Sequence, residues 1–294
     1  MDGLYHQKFD YPPETIISHS FYEHRTEYFF RFYREKMLPL GYEPNITHKV
    51  LARWEQEGKL RGIVNGIDVV QWDPKTDTRI AAPYDITEVL DKKKENKRAL
   101  QEELGLEVDD GKFVLGLISR LTNQKGLDLV NEILPGLIDG NTQIAVLGTG
   151  DAVYEGSFRN FENWYKGSVC SCIMYDEGRA HRIYAGADAF LMPSKSEPCG
   201  LAQMVAARYG TLPIVRETGG LKDSIHDMGG ENGNGFTFQT YNAHDMLAAI
   251  QRAEKLFADQ AGWKHAMLSA MNCDFSWDKS AKEYVEAYEL IMED

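Results

Sequence analysis

Cysteine is scarce in this chain of 294 residues, and its four cysteines form no CxxC pair and no other spacing typical of a metal site. Cys170 and Cys172 lie two residues apart in an apolar run. This spacing predicts packed thiols on one face of a strand rather than metal ligands. Sparse cysteine without a pattern is typical of a reducing compartment.

Long apolar runs are also missing, and no stretch approaches the roughly 20 residues that a membrane span needs. The first ten residues, MDGLYHQKFD, lack the charged-then-apolar pattern of a signal peptide. They are too acidic, and too poor in serine and arginine, for a transit peptide. We therefore expect a soluble, cytoplasmic protein with no membrane partner.

Positive charge is in deficit, with 32 Lys and Arg against 45 Asp and Glu and a formal net charge of −13. Because an acidic surface repels nucleic acid, we expect no nucleic-acid partner. An anionic ligand would have to be captured by local basic residues. The composition is 43% apolar and 11% aromatic, which is enough for a globular core.

Residues 1–60 show no alternation of strands and helices and no glycine-rich loop. Apolar residues spaced along one face predict a helix over 21–37, and a second helix is expected over about 47–58. This short helical segment is too small for a nucleotide-binding domain of its own. We therefore place a domain boundary near residue 60.

Residues 61–274 alternate short apolar runs with amphipathic stretches. Such alternation predicts βαβ units and a Rossmann-like, doubly wound parallel sheet that is buried on both faces. The predicted strands are Phe113–Ile118, Gln143–Leu147, Val169–Met174, Ala189–Met192, Leu212–Val215 and Phe236–Phe238. In such a sheet, ligands bind at the carboxyl ends of the strands.

Two further helices are expected outside this alternation. Residues 86–105 have helical period, and their mixed charges over 91–98 predict a solvated helix face rather than a binding patch. Residues 275–294 form a C-terminal helix whose apolar residues recur at helical spacing. Its broad aromatic face must pack against something.

Arg120 and Lys125 lie five residues apart in the loop after the first strand, where a helix begins. A planar guanidinium, a point charge and free N–H groups at a helix start together suit an anion. The alternative is that both are surface cations paired with nearby acids. After the second strand, Gly148 and Gly150 form a GxG turn that lets a ligand approach the backbone, although many βα loops contain glycine.

Glu197 follows the fourth strand on a loop braced by two prolines, just before a helix. The carboxylate is placed to meet a ligand, or alternatively it only complements the helix dipole. Neighbouring Cys199 lacks a matching base, which favours a packed thiol over a nucleophile. After the fifth strand, Thr218, Gly219 and Gly220 start a helix with N–H groups suited to phosphate oxygens.

Taken together, these segments resemble the C-terminal domain of bacterial glycogen synthases and plant starch synthases, over about residues 45–294. The stretches SRLTxQKG, SEPCGL and GTLPIVRxTGGLxDS are in combination highly specific. The matching segments are GIVNGIDVVQWDPKTD (62–77), SRLTNQKGLDLV (119–130), AVLGTGD (145–151), HRIYAGADAFLMPSKSEPCGLAQM (181–204), RYGTLPIVRETGGLKDSI (208–225) and FSWDKSAKEY (275–284).

The resemblance implies a GT-B fold, in which two Rossmann-like domains face each other across a cleft. It implies a retaining glucosyltransferase that moves glucose from ADP-glucose, or sometimes UDP-glucose, to the non-reducing end of an α-1,4-glucan. No cofactor and no metal are expected. The expected partners are the nucleotide-sugar, the glucan acceptor and a separate polypeptide that carries the N-terminal half.

The resemblance also assigns roles to single residues. Arg120 and Lys125 are expected to hold the donor diphosphate and to act in catalysis with Glu197, which meets the donor glucose. Tyr175 is expected beside the base, and His181 is expected to be a structural helix residue. The remaining expected donor contacts are Gly148, Gly150, Cys199, Gly200, Leu201, Thr218, Gly219 and Gly220.

Two departures from the family pattern are visible in the sequence. Val205 stands where many retaining relatives have a second glutamate, eight positions after Glu197. Residues 1–60 contain neither the Lys-Thr-Gly-Gly-Leu donor loop nor the histidine of the family's N-terminal domain. We therefore expect a donor-binding half that is inactive or nearly inactive alone. The alternatives are a non-catalytic nucleotide-sugar- or glucan-binding regulator and, less favoured, a related epimerase or sucrose synthase.

Overall fold

The computed structural model describes residues 49–50, 53–54, 57 and 61–292. The predicted helix over 21–37, and most of that over 47–58, lie outside the described residues. From Ile63 onward the chain belongs to one compact unit, Ile63–Asp294. The fold reported below is that of this unit.

Six parallel strands form a single sheet. The strands are β1 Phe113–Ile118, β2 Thr142–Leu147, β3 Val169–Cys172, β4 Ala189–Met192, β5 Leu212–Arg216 and β6 Phe236–Phe238. Their order across the sheet is β3-β2-β1-β4-β5-β6. The strand order reverses between β1 and β4, and a crevice forms at such a point beyond the carboxyl ends of the strands. The predicted doubly wound α/β fold is confirmed.

Helices connect the strands and cover both faces of the sheet. Between residues 61 and 292 these helices are α1 Val89–Leu104, α2 Leu127–Leu137, α3 Ala152–Trp164, α4 Glu177–Gly186, α5 Ala202–Arg208, α6 Gly220–Ser224, α7 Ala243–Phe257, α8 Gln260–Met271 and α9 Trp277–Met292. Helix α1 packs on α4, α2 packs on α7, and α5 packs on α8. None of the helices described between residues 61 and 292 is both long and apolar enough to cross a bilayer.

The predicted strands match the observed ones to within two residues at each end. The largest difference is at β3, which was expected to reach Met174 but ends at Cys172. Cys172 pairs with Leu147, the last residue of β2, so the chain beyond it has no neighbouring strand to pair with. Cys170 and Cys172 are buried with their sulfurs 3.7 Å apart, which confirms the prediction of packed thiols.

The charged run over 91–98 was predicted to be a solvated helix face, and this is confirmed for Asp91, Lys94, Glu95 and Arg98, which are exposed. The prediction is wrong for Lys93, Asn96 and Lys97, which are buried on the other face of the helix. The Lys93 amine donates to Ala185 O at 3.0 Å and to Thr211 Oγ1 at 2.7 Å. Lys97 forms an ion pair with Asp188 at 2.7 Å. The amines satisfy carbonyls and a carboxylate that would otherwise be buried without donors, which is why charged side chains are tolerated there.

A buried polar cluster joins the segment before α1 to α4 and α5. His181 is fully buried on α4, as expected for a structural residue, and its Nδ1 lies 2.7 Å from Asp77 Oδ2. The Tyr209 hydroxyl donates to the same oxygen at 2.6 Å, and Trp72 stacks on the imidazole with ring centroids 4.1 Å apart. Burial by itself would raise the pKa of Asp77, but the hydrogen bonds from Tyr209, the Arg79 N–H and His181 outweigh it and lower that pKa.

The C-terminal helix α9 starts against the segment that precedes Asp77. Ile67 N–H donates to Phe275 O at 2.8 Å, and the Ser280 hydroxyl donates to Val64 O at 2.7 Å. A Cβ on Gly66 would lie 2.4 Å from Trp277 N, so only glycine fits there. From its first residue onward, α9 keeps large apolar side chains exposed. These are Trp277, Tyr284, Val285, Tyr288, Leu290 and Met292.

We predict that Asp77→Asn lowers the free energy of unfolding by about 2–4 kcal/mol at pH 7. The substitution removes a buried carboxylate charge and leaves the three groups that donate hydrogen bonds to it without an ionised acceptor. The pKa of Asp77 is lower in the folded protein than in the unfolded chain, where it is about 3.9. The ionised carboxylate therefore stabilises the fold at pH values above about 3.9, and this stabilisation is lost as the pH falls through the pKa of the folded state. The difference between the two proteins should therefore shrink below about pH 4.

Chemical denaturation followed by circular dichroism at several pH values measures this difference. Asp91→Asn is the matched control, since Asp91 is exposed on α1. Equal stability of wild type and Asp77→Asn at pH 7 would contradict the proposed importance of the cluster.

Candidate functional site

Arg120 and Lys125 lie in the loop that follows β1, where a 3₁₀ turn, Asn123–Lys125, precedes α2. The turn ends at Gly126 with φ +73, and a Cβ at this position would lie 2.0 Å from Pro193 O. The loop therefore approaches the loop after β4 more closely than any other residue type would permit. Lys195 N–H donates across this contact to Gln124 O at 2.9 Å.

Lys125 and Glu197 form an ion pair across these two loops. Their side chains are 17% and 11% exposed, so the pair is mostly shielded from water. The Ser194 hydroxyl donates to the same carboxylate oxygen at 3.3 Å. The sequence suggested two alternatives for the lysine, an anion clamp or pairing with a nearby acid. The structure pairs it with the other residue expected to act in catalysis.

Arg120 differs from Lys125, because it is exposed and its guanidinium has no ion-pair or hydrogen-bond partner within residues 61–292. An unpaired guanidinium offers five N–H donors in a planar fork. Arg120 also lines both of the cavities at this edge of the sheet. Its charge is thus available to a ligand that extends from one cavity into the other.

The first cavity, of about 260 Å³, lies between the ends of β1 and β4. Its polar lining comes from the two loops described above, and its apolar lining comes from the strands and the start of α5. The residues that line it include Ser119, Arg120, Lys125, Ser194, Glu197, Gly200 and Leu201. The structure therefore brings together the three residues expected to act in catalysis.

The second cavity, of about 510 Å³, lies beyond the ends of β1, β2 and β3. Tyr175 is 88% exposed and presents its ring at the edge of this cavity. Half-buried Trp72 and exposed Gln71 also line this cavity. The Gln71 amide donates to Glu177 Oε1 at 2.8 Å. The mixture of aromatic surface and a few polar groups is typical of sites for small organic ligands.

Gly148 and Gly150 pack against the loop after β1. A Cβ on Gly148 would lie 1.9 Å from Ser119 O, and one on Gly150 would lie 2.3 Å from Leu121 O. Gly148 lines the second cavity, whereas the Gly150 N–H donates to Glu155 Oε1 at 3.0 Å. The close packing of two protein loops accounts for both glycines, so their expected contact with a donor stays a prediction.

The turn at Thr218, Gly219 and Gly220 serves mainly to support the Glu197 loop. Gly220 N–H donates to Glu197 O at 3.1 Å, and Thr218 N–H donates to Arg216 O at 2.8 Å. These two N–H groups thus donate to carbonyls of the protein itself, whereas the Gly219 N–H has no hydrogen-bond partner within residues 61–292. The phosphate contacts expected at Thr218, Gly219 and Gly220 stay predictions.

Cys199, Gly200 and Leu201 continue the Glu197 loop into α5. The Cys199 thiol is partly buried and contacts Gly200 O at 3.4 Å, in agreement with the packed-thiol alternative. Gly200 and the half-exposed Leu201 line the first cavity. Within the described part of the chain, no three His, Cys, Asp or Glu side chains come together in a way that could hold a metal ion.

Ser194 and Trp72 line the cavities but were not predicted as site residues. Ser194 lies three positions before Glu197, a spacing that could have suggested contact between the two side chains. Trp72 lies in the matching segment 62–77, in which no site residue was expected. Its position depends on stacking against His181, a contact between residues far apart in sequence.

Comparison with known proteins gives a consistent assignment. The family model for group 1 glycosyl transferases matches residues 99–265. Glycogen synthase from Exiguobacterium sibiricum is 44% identical over 265 residues, which are 88% of this chain and 53% of that protein. Glycogen synthase from Kosmotoga olearia is 48% identical over 236 residues, which are 80% of this chain and 49% of that protein.

Among solved structures, the catalytic domain of Arabidopsis thaliana starch synthase IV bound to ADP and acarbose is similar, with a TM-score of 0.75 and 35% identity. The match covers 84% of this chain and 52% of that one. The chain thus spans about half the length of the curated relatives it matches. The resemblance to glycogen and starch synthases is confirmed.

We predict that Gly126→Ala lowers the free energy of unfolding by at least about 2 kcal/mol, because alanine at positive φ would clash with Pro193 O. Gly136→Ala is the matched control. Gly136 lies in α2 with nothing within 4 Å of an added Cβ, and alanine there should stabilise by about 0.5–1 kcal/mol. Thermal unfolding of both variants measures the contrast. Equal stability of the two would contradict the close approach of the two loops.

Proposed function

The chain belongs to the group 1 glycosyl transferases, and we propose that it supplies the donor-binding half of a glycogen- or starch-forming glucosyltransferase. The observation that carries the proposal is the position of Arg120, unpaired and shared by two adjoining cavities. A nucleotide-sugar has the matching shape, with a base and a sugar joined by a diphosphate.

The proposed donor is ADP-glucose, with UDP-glucose as the alternative. The base lies in the second cavity against Tyr175, and the glucosyl group lies in the first cavity near Glu197. The diphosphate then reaches Arg120 at the wall that the two cavities share. The ADP in the solved structure of starch synthase IV and the family of the relatives support this assignment.

Lys125 changes partner when the donor binds in this proposal. The diphosphate oxygens compete with Glu197 for the lysine amine, and the carboxylate that is released turns to the sugar hydroxyls. This one exchange of partners thus places the lysine amine at the diphosphate and the carboxylate at the sugar. It also limits the cost of burying either charge, because each of them has a partner before and after binding.

The proposed reaction breaks the bond between the glucosyl C1 and the diphosphate oxygen. A bond forms between C1 and a hydroxyl at the non-reducing end of the glucan, with retention of configuration. ADP leaves with the bonding electron pair, and the hydroxyl proton is released. Arg120 and Lys125 stabilise the negative charge that develops on the leaving diphosphate. No metal is proposed to take part.

The acceptor and a complementary polypeptide are also part of the proposal. Holding donor and acceptor together can lower a barrier by about 7–11 kcal/mol, and half a cleft cannot do so. In the described part of the chain, α9 leaves large apolar side chains exposed, which suits a contact with the other half of the cleft. We therefore propose that glucan elongation needs that other half, and that residues 61–292 elongate glucan little without it.

The second candidate function is a non-catalytic regulator that binds nucleotide-sugar or glucan. It is favoured by Val205, which stands eight positions after Glu197, where many retaining relatives have a second glutamate. Glucan elongation after addition of a complementary half would support the enzyme. Nucleotide binding without elongation under the same conditions would support the regulator.

We predict that Arg120→Ala weakens ADP and ADP-glucose binding by roughly 10- to 150-fold, the loss expected for a charge-assisted contact of about 1.5–3 kcal/mol. Lys125→Ala should weaken binding as well and should also destabilise the fold, because Glu197 loses its partner. Isothermal titration calorimetry of the purified chain measures both affinities.

Arg159→Ala provides a matched control, since Arg159 is an exposed arginine on α3 that pairs with Glu155. Unchanged binding of ADP and ADP-glucose in Arg120→Ala would contradict the proposed diphosphate site. Elongation of glycogen by the chain alone at the rate of a full-length synthase would contradict the need for a partner.

A further inference from the structure

Arg216, the last residue of β5, lies beneath the loop that carries Glu197. Its Nε donates to Ser194 O at 2.9 Å, its Nη2 donates to Lys195 O, and its Nη1 donates to Gln239 O at 3.4 Å. One guanidinium thus joins the loop after β4 to the loop after β6. Arg216 lines neither of the two cavities described above.

Ser194 connects Arg216 to the carboxylate of Glu197. The Ser194 carbonyl accepts from Arg216, while its hydroxyl donates to Glu197 Oε2 at 3.3 Å. Ser194 is buried, so its carbonyl cannot obtain a replacement hydrogen bond from bulk water. If Arg216 is removed, Ser194 loses the contact that fixes its backbone, and its hydroxyl shifts relative to Glu197.

Tyr241 holds the guanidinium from the other side. Its ring centroid lies 5.8 Å from Arg216 Cζ and 5.0 Å from Lys195 Nζ. The Tyr241 hydroxyl donates to Asp128 Oδ1 on α2. The guanidinium is therefore fixed by a ring as well as by carbonyls, which explains why a planar cation is required and why lysine would not replace it.

We propose that Arg216 is a positioning residue for Glu197. It acts through Ser194 and holds the carboxylate where it can pair with Lys125 and, on donor binding, meet the sugar. The second part of this inference rests on the proposed function of Glu197 at the donor glucose. The first part concerns only the position of the carboxylate and does not depend on any ligand.

Carbodiimide-catalysed labelling of carboxyl groups with glycine ethyl ester, read by mass spectrometry, tests the position of Glu197. In Arg216→Met and Arg216→Gln we expect the labelling rate of Glu197 to rise by at least about threefold, because the carboxylate leaves its shielded pair more often. Arg216→Lys should give a smaller rise. Glu155, which lies outside the site, serves as the internal reference.

Arg252→Met is the matched control variant. Arg252, like Arg216, is held by side-chain hydrogen bonds: it donates to the Asp227 carboxylate and to Thr237 O, and it lines neither of the two cavities. The Arg252→Met substitution should lower stability without changing Glu197 labelling. It therefore separates a positioning role of Arg216 from a general loss of stability. An unchanged Glu197 rate in both Arg216→Met and Arg216→Gln, or an equal rise in Arg252→Met, would overturn the inference.

Titration with ADP and ADP-glucose tests the connection to the donor. In Arg216→Met, ADP affinity should stay within about twofold of wild type, while the additional affinity contributed by the glucosyl group is lost. If wild type binds neither nucleotide, the proposed function fails, and labelling still decides the positioning role. If Arg216→Met keeps the full preference for ADP-glucose over ADP, the inference fails and the donor site stands.

Discussion

Lys125 and Glu197 meet because the loops after β1 and β4 lie side by side, on adjacent strands, where the strand order reverses. The approach is possible only because Gly126 leaves room for the carbonyl of Pro193. Most other contacts at this edge hold one of the two loops in place. Gly220 supports the Glu197 backbone from β5, and the GxG turn after β2 supports the backbone that carries Arg120.

The fold could be predicted because strands buried on both faces appear in the sequence as apolar runs of three to six residues, separated by stretches with helical period. The charged helix α1 shows where such reasoning ends. Its lysines resemble a solvated face, yet the Lys93 amine reaches Thr211, 118 positions away. The pattern of residues along one helix cannot show that a distant residue accepts a hydrogen bond from a buried amine. The charges alone therefore suggested that this helix face is exposed to solvent.

The candidate site, like the fold, could be predicted only in part from the sequence. The sequence indicated which strand ends carry polar and glycine residues, and the topology then places these residues at one edge. It could not indicate how the loops use their own hydrogen bonds. The Gly220 N–H donates to Glu197 O, and the Arg216 guanidinium donates to backbone carbonyls. Gly220 was expected to contact phosphate and Arg216 was assigned no role, because the sequence does not show which acceptors their donors meet.

The overall charge of −13 is compatible with the proposed anionic donor because the relevant field is local. Lys125 is neutralised by Glu197, so the pair contributes little attraction at a distance. Arg120 is exposed and unpaired within residues 61–292, so in the proposal its charge acts first on the diphosphate of an approaching donor. Beyond about 10 Å, salt screens even this attraction, which leaves capture to short-range contacts. We therefore expect the affinity of this half for the proposed donor to depend on Arg120 for the first contact. The exchange of partners at Lys125 should then decide how strongly the site prefers a sugar nucleotide to a free diphosphate.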